Sequence, residues 1–92
     1  MARILIVDDS PTEIRKISTI LENNNHEVIT ADNGADGVAV ARAEQPDLIL
    51  MDVVMPGLNG FQATRQLTRA AETAEIPVII VTTKDQETDR VW

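Results

Sequence analysis

The sequence has no cysteine and very few aromatic residues: one Phe, one Trp and no Tyr among 92 residues. Without cysteine the chain can form no disulfide and offers no thiolate as a nucleophile or metal ligand. Because aromatic side chains commonly line pockets for small organic ligands, their scarcity argues against an aromatic-rich ligand site. The core must be built from Ile, Leu, Val and Ala, and the length suffices for one domain.

Basic residues are also scarce, since 15 acidic residues face eight basic ones and the net charge is −7. A charge of this sign repels the phosphates of nucleic acids and of anionic lipids. The N-terminal stretch MARILIVDD is apolar only briefly and ends in acids, which fits neither a signal peptide nor a membrane span. We therefore expect a cytoplasmic protein that binds neither nucleic acid nor membranes.

Four short apolar runs recur along the chain, at residues 4–7, 28–31, 48–51 and 78–81. Each is rich in β-branched residues or leucine, which predicts four buried strands. The stretches between them are long enough for helices, and such alternation predicts an α/β fold with a parallel sheet. Right-handed crossovers favour a flavodoxin-like, doubly wound sheet with strand order 2-1-3-4.

Local signals mark the helices between these strands. Ser10-Pro11-Thr12-Glu13 predicts a capping box at the start of the first helix. A shorter, alanine-rich second helix is expected at residues 35–43. Apolar residues recur at helical spacing and predict one apolar face on the first and third helices: Ile14, Ile17, Ile20 and Leu21 in the first, and Leu58, Phe61 and Leu67 in the third.

Acidic side chains follow two strands that are neighbours in the predicted sheet. Asp8 and Asp9 follow strand 1, and Asp52 follows strand 3. The chain reverses direction between these strands, which opens a crevice at their carboxyl ends, and we expect the three carboxylates to converge there. Adjacent aspartates are more often a turn or a solvated helix start, but Ser10 already fills that role here.

Three like charges a few ångströms apart destabilise a fold unless a cation neutralises them. Oxygen ligands in small number suit Mg²⁺ or Mn²⁺, and no Cys or His is available to favour zinc. An aspartate beside such an ion can attack phosphorus while the ion neutralises the transferring group. We assign the nucleophile to Asp52.

Three motifs, VDDS, MDVVMPGLNG and VTT, resemble in their order and separation the receiver domain of bacterial two-component response regulators. The chain is most similar to single-domain chemotaxis-type receivers, and LILMDVVMPGLNGFQATRQL resembles regulators of type IV pili and twitching motility. The resemblance implies that Asp52 is the phosphoacceptor and that Asp8 and Asp9 hold Mg²⁺. It further implies that the Val54 carbonyl is a metal ligand and that Thr82 is the switch hydroxyl. Pro56 and Gly60 match the family's loop that shapes the pocket.

The resemblance also implies a function. Receivers of this family take a phosphoryl group from a histidine kinase or from acetyl phosphate and hydrolyse it again. They are regulatory phosphoacceptors rather than enzymes acting on other substrates. Phosphorylation changes their affinity for a downstream signalling protein.

The family has a fifth strand that ends in a lysine, followed by a fifth helix, and this sequence ends at Trp92, within the expected fourth helix. We therefore expect residues 1–92 to form an incomplete receiver domain. Lys84 does not match the family's lysine position. Without a fifth strand, strand 4 would be an exposed apolar edge, which predicts a homo-oligomer formed through that edge or by exchange of elements.

Two other functions remain open from the sequence alone. A Mg²⁺-dependent phosphatase uses similar aspartates, but such enzymes need an Asp-x-Asp motif after the first strand and a cap domain. An inactive receiver could also act as a phosphorylation-independent interaction or oligomerisation module, because the family's lysine is missing.

Overall fold

A computed structural model describes residues 1–53, 55 and 57–81. Strands and helices alternate along this part of the chain. In order they are β1 (Arg3–Val7), α1 (Pro11–Asn23), β2 (Glu27–Ala31), α2 (Gly34–Glu44), β3 (Leu48–Asp52), α3 (Gly60–Arg69) and β4 (Val78–Val81).

The four strands form one parallel sheet in the order β2-β1-β3-β4, which confirms the flavodoxin-like prediction. Val7 of β1 lies opposite Ala31 of β2 on one side and Met51 of β3 on the other. The strand bounds agree with the predicted runs to within one residue. β3 continues to Asp52 because that residue still pairs with Val81 of β4.

The helices cover both faces of the sheet. The crossover from β1 to β2 runs one way along the sheet, and the crossovers from β2 to β3 and from β3 to β4 run the other way. Because right-handed crossovers are the rule, this puts α1 on one face and α2 and α3 on the other. Leu5 and Val7 of β1 belong to the core cluster beneath α2 and α3. The rest of this cluster comprises Ala31, Val38, Ala41, Ile49, Met51, Met55, Ala63 and Leu67. Two methionines thus join the expected aliphatic residues.

The apolar faces of the helices are incomplete. Leu67 of α3 is buried, but Ile20 of α1 and Phe61 of α3 are 61% and 62% exposed. On β4, Ile79 and Ile80 are 51% and 36% exposed. Helical spacing therefore identified the apolar residues but not how many of them the sheet covers.

Side chains cap the helices where the sequence indicated. Glu13 N donates to Ser10 Oγ at 3.3 Å, which is half of the predicted capping box. The Glu13 carboxylate lies 3.8 Å from Lys16 Nζ. A complete capping box instead begins α3, where Asn59 and Gln62 exchange backbone-to-side-chain bonds of 2.9 and 3.0 Å.

An ion-pair network joins three elements at the amino ends of the strands. The Arg3 guanidinium lies 2.8 Å from Glu44 and 3.5 Å from Glu27. The hydrogen bond to Glu44 is the main cause that raises the pKa of Arg3 above its usual value. None of the helices in the described residues is long and apolar enough to cross a bilayer.

Candidate functional site

Three carboxylates meet at the carboxyl ends of β1 and β3. Val7 and Met51 are partners in the ladder, so the next residues, Asp8 and Asp52, lie at the same level at this edge of the sheet. One carboxylate oxygen from each of Asp8, Asp9 and Asp52 lies within 4.8 Å of the other two. The structure thus brings together the three acids that the sequence analysis singled out.

The three aspartates differ in their exposure. Asp8 and Asp52 are buried, with 2% and 1% of their surface accessible, whereas Asp9 is exposed. Burying a carboxylate is costly unless it is hydrogen-bonded, paired or bound to a cation. Two buried acids and one at the rim give the cluster a closed inner side and an outer side that solutes can reach.

The turn between β1 and α1 fixes the position of Asp8. Its N–H donates to the Ala31 carbonyl at 3.1 Å, which continues the ladder with β2 by one bond. Its Oδ1 accepts from the N–H of Ser10 at 2.9 Å. Ser10 is also the N-cap of α1, so one residue both begins the helix and orients the acid.

The close approach of α3 to the end of β3 constrains Asp52. At Gly60, the first residue of α3, an added Cβ would lie 2.7 Å from the Val53 Cα and 2.8 Å from the Asp52 carbonyl carbon. Real Cβ atoms essentially never lie this close to backbone atoms. Glycine therefore permits the start of α3 to pack directly against the backbone that carries Asp52.

The donor set fits a small, hard divalent cation. All three candidate ligands are carboxylate oxygens, and oxygen is the ligand atom that Mg²⁺ and Mn²⁺ prefer. Two ligands on opposite sides of one Mg²⁺ are about 4.2 Å apart, given its bond lengths. The 4.8 Å limit within the cluster is close to that span. Oxygens this close together could bind one ion.

The remaining predicted site residues fall outside the described part of the chain. These are Val54, Thr82 and Pro56. β4 is described as far as Val81, the ladder partner of Asp52.

With an acidic cluster at the switch point of a 2-1-3-4 parallel sheet, the molecule has the architecture of a receiver. The family model of the response regulator receiver domain matches residues 4–91. The chain belongs to this family.

Relatives agree with this assignment. The chain is 73% identical to protein PilH of Pseudomonas aeruginosa over 92 residues, which cover 76% of that protein. A receiver-protein domain from Methanoculleus marisnigri superposes with a TM-score of 0.87 at 29% identity, covering 99% of this chain and 77% of that one. The receiver domain of a Pseudomonas aeruginosa sensor histidine kinase, solved with magnesium coordinated in its active-site cleft, gives 0.85 at 30% identity, covering 98% and 74%.

Sequence reasoning missed two backbone contributions to the site. It gave Ser10 a capping role but not the N–H that holds Asp8, and it placed Gly60 in the pocket loop without its contact to Asp52. A signal for the second was present, because glycine at the start of a helix is unfavourable relative to alanine unless close packing requires it.

Proposed function

We propose that this chain is a two-component signalling receiver that accepts a phosphoryl group on Asp52 from a histidine kinase and thereby switches the binding of a partner. The observation that carries the proposal is the cluster itself. Oxygens of Asp8, Asp9 and Asp52 lie within 4.8 Å of one another at one end of the sheet. Membership of the receiver family supports the same conclusion.

In the proposed reaction, an Asp52 carboxylate oxygen attacks the phosphorus of the donor. A new O–P bond forms while the bond between phosphorus and the donor's leaving atom breaks, and the electron pair departs with the donor. The leaving atom is a ring nitrogen of phosphohistidine or an acetate oxygen of acetyl phosphate. Hydrolysis of the resulting acyl phosphate returns Asp52 to its carboxylate form, so the protein assists its own phosphorylation and dephosphorylation without acting on other substrates.

Asp8, Asp9 and Asp52 would hold Mg²⁺ or Mn²⁺, together with the Val54 carbonyl. When bound, the ion supplies positive charge that offsets the negative charge of the carboxylates and of the transferring phosphoryl group. Asp8 is oriented for this by the Ser10 N–H at 2.9 Å. The Thr82 hydroxyl is proposed to follow the phosphoryl oxygen and signal its presence.

The test is to incubate the protein with acetyl phosphate and Mg²⁺ and to measure its intact mass. We expect a gain of one phosphoryl group, lost when EDTA replaces the metal and absent from Asp52→Ala. Asp47→Ala is the matched control, because Asp47 is an exposed aspartate at the opposite end of the sheet. A phosphoryl gain that persists in Asp52→Ala would contradict the assignment.

The alternatives give different results in the same assay. A phosphatase would release phosphate continuously from small substrates without any labelled protein. A phosphorylation-independent module would show no mass gain, and beryllofluoride with Mg²⁺ would leave the NMR signals of the Asp8 and Asp52 amides unchanged.

The wider setting is proposed from the relatives. The chain resembles regulators of type IV pili and twitching motility, and we propose a role in chemotaxis-like control of twitching motility, in the cytoplasm, with residues 1–92 acting as a receiver domain. The kinase and a downstream signalling protein are its proposed partners. Nucleic acid and membranes are not.

We also propose that copies of this chain self-associate through β4. Within the described residues β4 pairs only with β3, and Ile79 and Ile80 on it are exposed. Unpaired apolar edge strands promote pairing with a second chain. Light scattering should show a mass that rises with concentration and that Ile79→Lys returns to the monomer value. A monomer at high concentration with a native circular dichroism spectrum would disprove this association.

A further inference from the structure

A separate surface lies on the outer side of α3, away from the aspartate cluster's carboxylates. It consists of Phe61, Arg65 and Arg69 in a row, with a shallow groove beside them, and we name it the α3 ridge. The groove has a volume of about 240 Å³ and is lined by Leu58, Gln62, Arg65, Gln66 and Arg69.

The spacing of the ridge residues puts them on one face of the helix. Phe61, Arg65 and Arg69 are four residues apart, and side chains at that spacing are neighbours on a helix surface. The face toward the core is formed by Gly60, Ala63 and Leu67, which are all buried. Phe61 and both arginines are exposed, so the ridge faces solvent.

The charge of this surface is opposite to that of the rest of the protein. Between Asp52 and Glu72 the sequence has two arginines and no acidic residue. Subtracting these two from the eight basic residues leaves six bases against 15 acids in the remainder of the chain. None of the ion pairs among the described residues involves Arg65 or Arg69. The ridge is therefore a positive surface on a strongly negative molecule.

An aromatic side chain one turn before two cations defines the chemistry of a partner. Arginine binds carboxylates through paired hydrogen bonds, and exposed aromatic and arginine side chains are enriched where proteins bind one another. The net charge of −7 would repel a polyanion such as DNA, which extends far beyond the ridge. A short acidic segment that carries its own apolar residue avoids this repulsion.

We propose that the α3 ridge is a docking surface for an acidic helical segment of a partner protein. Carboxylates one helical turn apart would bind Arg65 and Arg69, and an apolar side chain one turn beyond the carboxylate on Arg65 would pack against Phe61 and Leu58. The acidic surface elsewhere on the chain would repel the same segment, so complementarity fixes where it binds. The proposal does not depend on phosphorylation of Asp52.

The test uses a fluorescein-labelled, alanine-based helical peptide with glutamates four residues apart and leucines one turn to either side of them. Anisotropy should show binding with a dissociation constant at or below about 1 mM at low salt, weakening as salt is added. NMR shift changes should map to α3. A peptide with glutamine in place of every glutamate serves as the uncharged control and should not bind.

Variants separate the ridge from general charge effects. Arg65→Glu combined with Arg69→Glu should weaken binding at least about tenfold, which is typical of losing a central charged contact. Phe61→Ala should weaken it less, and Arg15→Glu, which reverses one exposed arginine on α1, should have almost no effect. Asp52→Ala should bind as the unmodified protein does, which distinguishes failure of this proposal from failure of the phosphoacceptor assignment.

Four results would overturn the proposal. They are no detectable peptide binding, shift changes outside α3, equal losses in the ridge variant and in Arg15→Glu, and tighter binding of single-stranded DNA or of anionic vesicles than of the acidic peptide.

Discussion

Replacing Gly60 with alanine tests the idea that α3 packs directly against the backbone of the proposed phosphoacceptor. The new Cβ would lie 2.7 Å from Val53 Cα and 2.8 Å from the carbonyl carbon of Asp52. The nearest atom to the new Cβ is the Asp52 carbonyl oxygen, which lies closer still. Ordinary carbon contacts are at about 3.5 Å or more, so the two backbones must separate by at least about 0.8 Å. Neither neighbour is the flexible end of a side chain, so the start of α3, the backbone of Asp52 and Val53, or both must shift. We expect part of this shift to fall on Asp52.

The expected energetic cost of Gly60→Ala follows from these distances. Overpacking of this kind costs about 1–3 kcal/mol, and a gain in helix propensity of at most about 1 kcal/mol opposes it. We expect a net loss of about 1–2 kcal/mol in the free energy of unfolding. In a domain of this size that lowers Tm by about 4–8 °C for each kcal/mol. Urea and thermal unfolding followed by circular dichroism measure both quantities.

The rate of phosphorylation should fall even where the variant is fully folded. Because misplacing a reacting group by 1 Å can cost about 100-fold in rate, we expect phosphorylation of Gly60→Ala by acetyl phosphate to be slower by about tenfold or more at a temperature where it is fully folded. Gly57→Ala is the control. Gly57 has a φ of +72° with open space around it, so alanine there strains the backbone by about 1–2 kcal/mol without moving Asp52. Phosphorylation of folded Gly60→Ala at the rate of the unmodified protein would refute the packing argument.

Three further predictions concern the core and the metal. Thr73 is buried and its Oγ1 donates to the Leu67 carbonyl at 2.6 Å, so Thr73→Val should lose about 1–3 kcal/mol of stability. Thr68 is exposed, and Thr68→Val should change the stability by less than about 0.5 kcal/mol. Leu5 lies on β1, the strand between β2 and β3, and is fully buried, so Leu5→Ala should cost about 2–5 kcal/mol of stability. This is well above the expected cost of Ile20→Ala on the exposed side of α1, and similar losses in the two variants would show that the core is misassigned. Mg²⁺ at 100 times its dissociation constant should add about 2.7 kcal/mol to the free energy of unfolding, and calorimetry should show that EDTA reverses this; no effect of Mg²⁺ on Tm would argue against the metal site.

Much of the fold could be predicted because the deciding interactions repeat along the chain. Apolar runs of four residues identified the strands, and the alternation with helices, combined with the handedness of crossovers, selected one sheet order. The convergence of Asp8, Asp9 and Asp52 then followed, because the carboxyl ends of adjacent parallel strands share one edge.

What the sequence by itself determined is therefore the order of the elements and the edge where the acids meet, since both depend on local pattern and on topological rules. Only the tertiary structure decided that Asp8 is buried while its neighbour Asp9 is exposed, that Phe61 faces solvent beside two arginines, and that α3 packs against the backbone of Asp52. These properties depend on how closely segments distant in sequence approach one another. The period of a helix gives the direction of its apolar face but not the area that the rest of the fold covers.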